Sequence, residues 1–245
     1  MALAQALPGA EIVSADSRQV YRGMDIATAK PSAEELRAAP HHCLDLVDPD
    51  ERFTAADYRV AALGALADIA RRGGIALLVG GTGLYLRAIA RGLPLGTGDS
   101  DPAVRAELDA RYAQDGLEPL VAELRTRDSD GAAIIDLRNP RRVVRALERA
   151  RLTGSALPPA PQGYPAPVTW LGLSLDPAAH RRRIRARIED HFEGGLLDEA
   201  ARLRGRYPED LPAFSAMGYR EAFDVLAGCC TLDEARERDA NRTWA

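Results

Sequence analysis

The 245-residue sequence contains almost no lysine, little cysteine and few aromatic residues. Lys30 is the only lysine, so arginine carries nearly all of the basic charge. The 32 basic residues are outnumbered by 36 acidic ones, and the formal net charge of −4 excludes a global positive field that would attract nucleic acid. Any RNA binding must therefore come from local clusters of arginine.

The three cysteines, Cys43, Cys229 and Cys230, have the spacing neither of a metal site nor of a disulfide framework. No apolar run is long enough to span a bilayer, and the first ten residues lack the basic leader and apolar core of a signal peptide. We therefore expect a cytoplasmic protein without a membrane segment.

The phosphate-binding pattern G-x-x-x-x-G-K-[ST] is also absent, although the sequence predicts a parallel sheet. Glu11–Ser14 has the length and β-branched content of a buried strand, and Ile75–Val79 is typical of a fully buried parallel strand. A helix that begins at a capping box of Thr54 and Asp57 connects them. Val168–Ser174 has strand character and is predicted to join the sheet. The predicted fold class is α/β.

Residues 98–164 show no strand pattern and are predicted to form a helical insertion. The expected helices are Ala103–Gln114, Leu117–Arg127 and Arg141–Leu152. Flexible joins are expected at Gly96–Ser100 and at the proline-rich segment Leu157–Pro167. The α/β core would then consist of residues 1–97 and 165–245.

Polar residues follow both predicted strands at the point where each strand ends. Asp16, Ser17, Arg18 and Gln19 follow the first strand, and a Gly-rich turn with Thr82 follows Ile75–Val79. Open α/β sheets bind ligands at this edge. On the residues alone, two plainer interpretations stay open: Asp16 caps a turn, and the Gly-rich turn serves packing.

Several segments resemble the tRNA dimethylallyltransferases, enzymes that prenylate an adenosine beside the anticodon. The longest is Asp16-Ser17-Arg18-Gln19-Val20-Tyr21, continued by Gly23-Met24-Asp25-Ile26 and Thr28-Ala29-Lys30-Pro31. Others occur in the family's order: Pro40-His41-His42, Gly80 to Tyr85, Asn139 to Arg142 with Arg145, Gly195-Leu196 with Glu199, and Gly218 to Glu221. The family's N-terminal phosphate-binding loop and C-terminal end are not matched, so we expect this chain to lack both.

The resemblance implies a P-loop NTPase-like parallel sheet flanked by helices, with an all-helical insertion that contacts tRNA. It implies transfer of a dimethylallyl group from dimethylallyl diphosphate to the exocyclic amine of the adenosine 3′ to the anticodon, in tRNAs that read codons beginning with U. The expected partners are dimethylallyl diphosphate and the tRNA anticodon loop, the expected cofactor is Mg²⁺, and the expected state is a monomer.

The resemblance also implies roles for individual residues. Asp16 is the expected base for the amine proton, and Thr82 and Arg187 are expected to stabilise the departing diphosphate. The expected tRNA contacts are Ser17, Arg18, Gln19, Arg105, Arg141, Arg142, Arg145, Gly218, Tyr219 and Arg220. The other arginines near Arg187 are expected to face solvent or RNA. No residue is predicted to bind a metal directly.

Two other functions stay open. A nucleotide kinase-like phosphotransferase also uses a strand-end aspartate and Gly-rich turns, but it depends on a phosphate loop even more strongly. A catalytically inert tRNA-binding remnant would also fit a chain that departs from the family pattern at both ends.

Overall fold

A computed structural model of the protein describes residues 1–95 and 100–244. The chain divides into two compact units, one of Met1–Ile89 with Ala166–Ala245 and the other of Ala90–Pro165. The predicted boundary at residues 97 and 98, and most of the predicted join Gly96–Ser100, lie outside the described residues. The other predicted boundary, at residues 164 and 165, lies beside the division after Pro165.

The first unit contains a parallel sheet whose described strands run in the order β2-β1-β3. The strands are β1 (Ala10–Ser14), β2 (His41–His42) and β3 (Ile75–Val79). The central strand β1 pairs with both neighbours, so that Ile12 lies opposite His41 on one side and Leu77 on the other. Because it is covered on both edges, β1 is buried along its whole length. The α/β prediction is confirmed.

Twelve α-helices accompany these strands in the described residues. In chain order they are α1 (Ala2–Ala6), α2 (Ala33–Ala38), α3 (Ala55–Arg71), α4 (Gly83–Ala90), α5 (Pro102–Asp115), α6 (Glu118–Arg127), α7 (Ser129–Ile134), α8 (Pro140–Thr153), α9 (Pro177–Glu193), α10 (Leu196–Arg204), α11 (Tyr219–Leu226) and α12 (Leu232–Trp244). A short 3₁₀ helix, Pro212–Ser215, lies between α10 and α11.

The start of α3 follows the sequence closely. Thr54 and Asp57 form the predicted capping box, with the Thr54 backbone N–H donating to Asp57 Oδ2 at 2.8 Å. The apolar stripe of α3 buries Tyr58 and Ile69, among others. This helix connects β2 to β3 and sets the parallel direction of β3 relative to β1.

Two sequence predictions about the sheet are wrong. The strand Ile75–Val79 is not fully buried, since Ile75 and Val79 are 43% and 54% exposed. The reason is that β3 pairs with β1 on one edge and with no described strand on the other. Val168–Ser174 forms no strand, and its Leu173 is fully exposed. Strand preference is realised only against a neighbouring strand, and no described strand pairs with this segment.

The second unit is helical and has its own apolar core. Leu108 of α5, Leu120 and Leu124 of α6, and Val143 and Leu147 of α8 are all fully buried in one cluster. The three helices predicted here are confirmed, and α7 is an addition. That helix has only six residues, too few for an apolar period, and it begins where Asp128 Oδ1 accepts the Gly131 N–H at 2.8 Å.

Candidate active site

The carboxyl ends of β1 and β3 bring three of the predicted site residues together. The Ser17 backbone N–H donates to Thr82 Oγ1 at 3.0 Å, and the Thr82 hydroxyl donates to Ser17 Oγ at 3.2 Å. Asp16 Oδ1 accepts the Arg18 backbone N–H at 2.8 Å. Asp16, Ser17 and Thr82 therefore lie at one edge of the sheet, as expected for parallel strand ends. Their chemical roles stay predictions.

A glycine makes this close approach possible. A Cβ atom on Gly80 would lie only 2.2 Å from the Ala15 carbonyl oxygen, whereas one on Gly81 would meet nothing within 4 Å. The Thr82 backbone N–H donates to the same Ala15 oxygen at 3.1 Å. Gly80 therefore lets the turn after β3 lie against the end of β1 and places Thr82 beside Ser17.

Arg18 and Gln19, predicted to bind tRNA, are also bonded within the protein. Arg18 Nη1 donates to the Pro212 carbonyl at 3.0 Å. The Gln19 amide accepts from Ser14 Oγ at 2.8 Å and donates to the Thr28 and Ala29 carbonyls, each at 3.1 Å. Both side chains are half-buried and shape the loop between β1 and α2.

Lys30 is a structural residue that sequence reasoning assigned to no role. Its side chain is 6% exposed, and Nζ donates to the Tyr21 carbonyl at 2.6 Å, to Asp25 Oδ1 at 2.7 Å and to Asp45 Oδ1 at 2.5 Å. The three bonds use all three ammonium hydrogens. The sequence does contain a signal for this role: Lys30 is the only lysine in a chain whose other basic residues are arginines, and it lies in the longest segment that resembles the family.

Glu199 of α10 is a second anchor of the same loop. It is 1% exposed and accepts the backbone N–H groups of Asp25 and Ile26, each at 3.1 Å. The Tyr219 hydroxyl donates to its other oxygen at 2.7 Å. Glu199 therefore joins the loop after β1 to the start of α11.

The predicted tRNA residues at the start of α11 are placed differently from one another. Tyr219 is fully buried, and its side chain offers no surface to an RNA; burial, with the charge of Glu199, raises the pKa of its hydroxyl. Gly218 has a φ of +91° and packs against Ala27, with 3.2 Å between its ideal Cβ position and that methyl group. Arg220 is exposed.

Arg187, the third predicted catalytic residue, lies on the exposed side of α9. No contact among the described residues joins it to Asp16 or Thr82. Its charge acts on two neighbours. The pKa of His191 is lowered, first by burial and then by Arg187. The pKa of Asp239 is raised to about 6, chiefly by burial and by Glu221, against a smaller opposing effect of Arg187.

In the helical unit, two predicted tRNA residues are held by a buried carboxylate. Glu148 is fully buried and accepts from Arg105 Nε at 3.0 Å and from Arg145 Nη1 at 2.9 Å. It also accepts from Ser100 Oγ and the Asp101 N–H, each at 3.0 Å. Burial raises the pKa of Glu148, but the bonds from the two arginines outweigh it and the pKa is lowered.

The other two predicted tRNA residues of this unit are more open. Arg141 is exposed and lines a shallow surface depression with Tyr112 and Asn139. Arg142 is also exposed, and its Nη1 lies 3.4 Å from Asp136 Oδ2. Of the four predicted arginines, these two have the most accessible guanidinium groups, since those of Arg105 and Arg145 contact Glu148.

Neither a metal cage nor a membrane helix is found in the described part of the chain. No group of three His, Cys, Asp or Glu side chains there could hold a metal ion. None of the helices within residues 1–95 and 100–244 is long and apolar enough to cross a bilayer.

Comparison with known sequences gives a consistent set of relatives. The profile of the IPP transferase family matches residues 19–245. The tRNA dimethylallyltransferase of Roseiflexus sp. (strain RS-1) is 47% identical, over 96% of this chain and 78% of its own length. That of Anaeromyxobacter dehalogenans (strain 2CP-C) is also 47% identical, over 100% of this chain and 83% of its own length.

Two solved structures are similar to this chain. The full-length tRNA isopentenylpyrophosphate transferase of Bacillus halodurans has a TM-score of 0.69 and 40% identity, covering 99% of this chain and 77% of that one. A eukaryotic dimethylallyltransferase, described as acting on tRNA, has a TM-score of 0.82 and 26% identity, covering 99% of this chain and 62% of that one.

Proposed function

This chain belongs to the IPP transferase family, and on that premise we propose that it is a tRNA dimethylallyltransferase. The observation that carries the proposal is the hydrogen bond from the Ser17 backbone N–H to Thr82 Oγ1, 3.0 Å long. It holds the polar ends of two neighbouring parallel strands together, with Asp16 beside them. The reaction joins the allylic carbon of dimethylallyl diphosphate to the exocyclic amine of an adenosine, and the carbon–oxygen bond to diphosphate breaks.

The amine of adenine needs help from a base because its lone pair is delocalised into the ring. Asp16 suits this role, since its Oδ1 accepts the Arg18 backbone N–H and is fixed in direction. Its Oδ2 accepts no hydrogen bond from the described residues, so it can accept one from the amine. That bond would orient the adenine and remove the proton as the new carbon–nitrogen bond forms.

The departing diphosphate gains negative charge, and hydrogen-bond donors that meet this charge accelerate the step. The Thr82 hydroxyl can rotate from Ser17 Oγ, at 3.2 Å, towards a phosphate oxygen. Arg187 would contribute a guanidinium fork, which suits phosphate geometry. Its exposed position on α9 leaves the group accessible to a ligand.

Mg²⁺ stays a prediction. The absence of a three-residue acidic or histidine cluster among the described residues does not fit a metal held by protein alone. Mg²⁺ commonly takes only one or two protein ligands and several phosphate oxygens. No step is therefore assigned to it.

The tRNA-specific parts of the proposal are supported by residue placement. The target adenosine must leave its stack, which costs less from a loop than from a duplex. Arg141, Arg142 and Arg220 are exposed and could contact the RNA. The anticodon loop, codons beginning with U, the monomeric state and the cytoplasm remain predictions.

The test is product identification. Unmodified tRNA is incubated with the chain, dimethylallyl diphosphate and Mg²⁺, digested to nucleosides and analysed by mass spectrometry. A tRNA with cytidine in place of the adenosine 3′ to the anticodon is the matched control. We expect dimethylallyladenosine from the first tRNA only. ATP hydrolysis without prenylation would favour the phosphotransferase, and tRNA binding without product would favour the inert remnant.

A further inference from the structure

The first half of α9 concentrates positive charge on the core unit. Four arginines in a span of five residues, Arg181, Arg182, Arg183 and Arg185, are exposed, and we call them the α9 basic surface. Ile184, Ile188 and Phe192 of the same helix are buried. These apolar residues fix which side of α9 faces solvent. At helical spacing, Arg181 and Arg185 lie at the margin of this buried side, where they reach Trp244 and Glu237 of α12. Arg183 lies on the far side of the helix, which it shares with Arg187.

The charges of this surface are almost unneutralised. No carboxylate of the described residues forms an ion pair with Arg182 or Arg183. Arg185 lies 3.4 Å from Glu237, with both side chains more than half exposed, and such pairs contribute little. In the helical unit, by contrast, Arg105 and Arg145 both contact the buried Glu148.

Arg181 is ordered without being neutralised. Its guanidinium carbon lies 4.2 Å from the centre of the Trp244 ring, and the His180 ring lies 5.5 Å from the same ring. A cation–π contact fixes a guanidinium while leaving its N–H groups free to donate. Trp244 is itself 38% exposed, so the contact is open to solvent.

Helix stability does not explain this arrangement. Arg181 to Arg185 lie in the second and third turns of α9, beyond the first turn in which the helix dipole acts, so their charges neither stabilise nor complete the start of the helix. That start is capped by Asp176, which accepts the N–H groups of Ala178 and Ala179. The surface therefore offers several guanidinium groups whose charges are not neutralised within the described residues. Its natural partner is a repeating anion with oxygen acceptors at regular spacing.

We propose that the α9 basic surface binds the phosphodiester backbone of the RNA substrate. The inference rests on the proposed function, and it narrows the expectation that these arginines face solvent or RNA to one contact, the phosphodiester backbone. Arg187 lies on the same helix, four residues after Arg183, so RNA held here would lie along the helix that carries the expected diphosphate ligand. The alternative partner, an anionic membrane, fits less well because α9 packs its apolar face against α12 rather than exposing it.

The test compares two double variants of the full chain. Arg182→Ala/Arg183→Ala removes two charges from the surface. Arg37→Ala/Arg71→Ala removes two exposed charges from the ends of α2 and α3, which precede β2 and β3 and so lie at the opposite edge of the sheet. Affinity for unmodified tRNA is measured by fluorescence anisotropy from 50 to 300 mM NaCl, and circular dichroism melts check that each variant is folded.

We expect the α9 variant to bind tRNA about tenfold more weakly at low salt, and its slope of log K against log salt to fall by about 1.4 to 1.8, for two lost phosphate contacts. The Arg37/Arg71 control should keep the wild-type slope. Equal slopes in the two variants would overturn the proposal while leaving the proposed function intact. Absence of tRNA binding by the wild type would overturn both.

A second experiment, with lipid vesicles, tests whether the α9 basic surface binds an anionic membrane instead. Wild type and the α9 variant are mixed with vesicles of phosphatidylglycerol and phosphatidylcholine and separated by sedimentation. We expect no difference between them. Vesicle binding that is lost in the α9 variant, with tRNA affinity unchanged, would assign the surface to a membrane and overturn the proposal.

Discussion

The carboxylates around the site differ in how fully their oxygens are used. Glu199 accepts two backbone N–H groups and the Tyr219 hydroxyl, and it is buried. Asp16 accepts one backbone N–H at Oδ1 and is only half-buried. A carboxylate whose two oxygens both accept hydrogen bonds within the protein fixes the groups that donate to it. A carboxylate with one oxygen unoccupied can accept a proton from a substrate. This difference separates the expected base from its structural neighbours.

The close approach at Gly80 gives a sharp stability test. Gly80→Ala would place a methyl group 2.2 Å from the Ala15 carbonyl oxygen, so the turn after β3 must move. We expect a loss of about 1 to 3 kcal/mol of unfolding free energy, as for other overpacked sites, measured by urea denaturation. Gly81→Ala, which meets no atom within 4 Å, should be close to wild type. Similar stabilities for the two variants would contradict this account of the turn.

Tyr219→Phe tests the anchor on Glu199. The change removes a buried 2.7 Å hydrogen bond to a carboxylate, and we expect it to lower the unfolding free energy by about 1.5 to 3 kcal/mol. Circular dichroism during urea unfolding provides the measurement. Tyr207→Phe is the control, because the Tyr207 hydroxyl makes no hydrogen bond within the described residues. Equal unfolding free energies for Tyr219→Phe and Tyr207→Phe would show that the hydrogen bond from Tyr219 to Glu199 does not stabilise the fold.

The sequence could place part of this site but not all of it. Asp16, Ser17 and Thr82 follow predicted neighbouring strands, and parallel strand ends meet at one edge, so their proximity was predictable. Glu199 bonds to the backbone of Asp25 across 174 residues of chain, and no local pattern encodes such a partner. Glu199 also explains the placement of Tyr219. The position of Tyr219 in a family segment indicated RNA contact, whereas its hydroxyl donates to Glu199 in the core.

At the scale of elements, the sequence correctly predicted the features that are determined by residues close together in the chain. The capping box of Thr54 and Asp57 marks the start of α3 in the sequence and in the structure, because its hydrogen bonds span three residues. The prediction of a strand at Val168–Ser174 is wrong for the opposite reason. The apolar residues of this segment favour a strand, but a strand needs a partner that the sequence of the segment cannot supply.

Ion pairs between helices of the second unit predict a pH dependence. Glu123 of α6 accepts from Arg111 of α5 at 2.7 Å and from Arg151 of α8 at 2.8 Å, and the bond from Arg151 is the first cause of its lowered pKa of about 2. The pKa of this carboxylate is lower in the folded protein than in the unfolded chain. Its charge therefore stabilises the fold at a pH above the unfolded pKa, and the stabilisation is lost as the pH falls through the folded pKa.

We therefore expect Glu123→Gln to be less stable than wild type at pH 7 and nearly equal to it at pH 2, with the difference shrinking below about pH 4.5. Urea unfolding monitored across this pH range provides the measurement. Glu118→Gln, on the exposed first turn of α6, should follow the wild-type pH profile. A stability difference for Glu123→Gln that stays constant from pH 7 to pH 2 would rule out this role for the charge.

At the scale of the whole molecule, the placement of charge matters more than its total. The net charge is −4, and in the helical unit Glu148 and Glu123 contact several of the arginines. Exposed guanidinium groups remain at Arg141, Arg142 and along α9. A member of a tRNA-modifying family can thus be acidic overall, because phosphate contacts depend on local, unneutralised donors.

The most direct test of the central claim is the single-turnover rate of dimethylallyl transfer to tRNA by Asp16→Asn, with Asp50→Asn as an exposed control. Asparagine keeps the shape of Asp16 but cannot accept a proton. With tRNA and dimethylallyl diphosphate saturating, we predict that Asp16→Asn slows transfer by about 10² to 10⁴-fold, while tRNA affinity and the Asp50→Asn rate stay at wild-type values. Equal transfer rates for the two variants would contradict the assignment of Asp16 as the base.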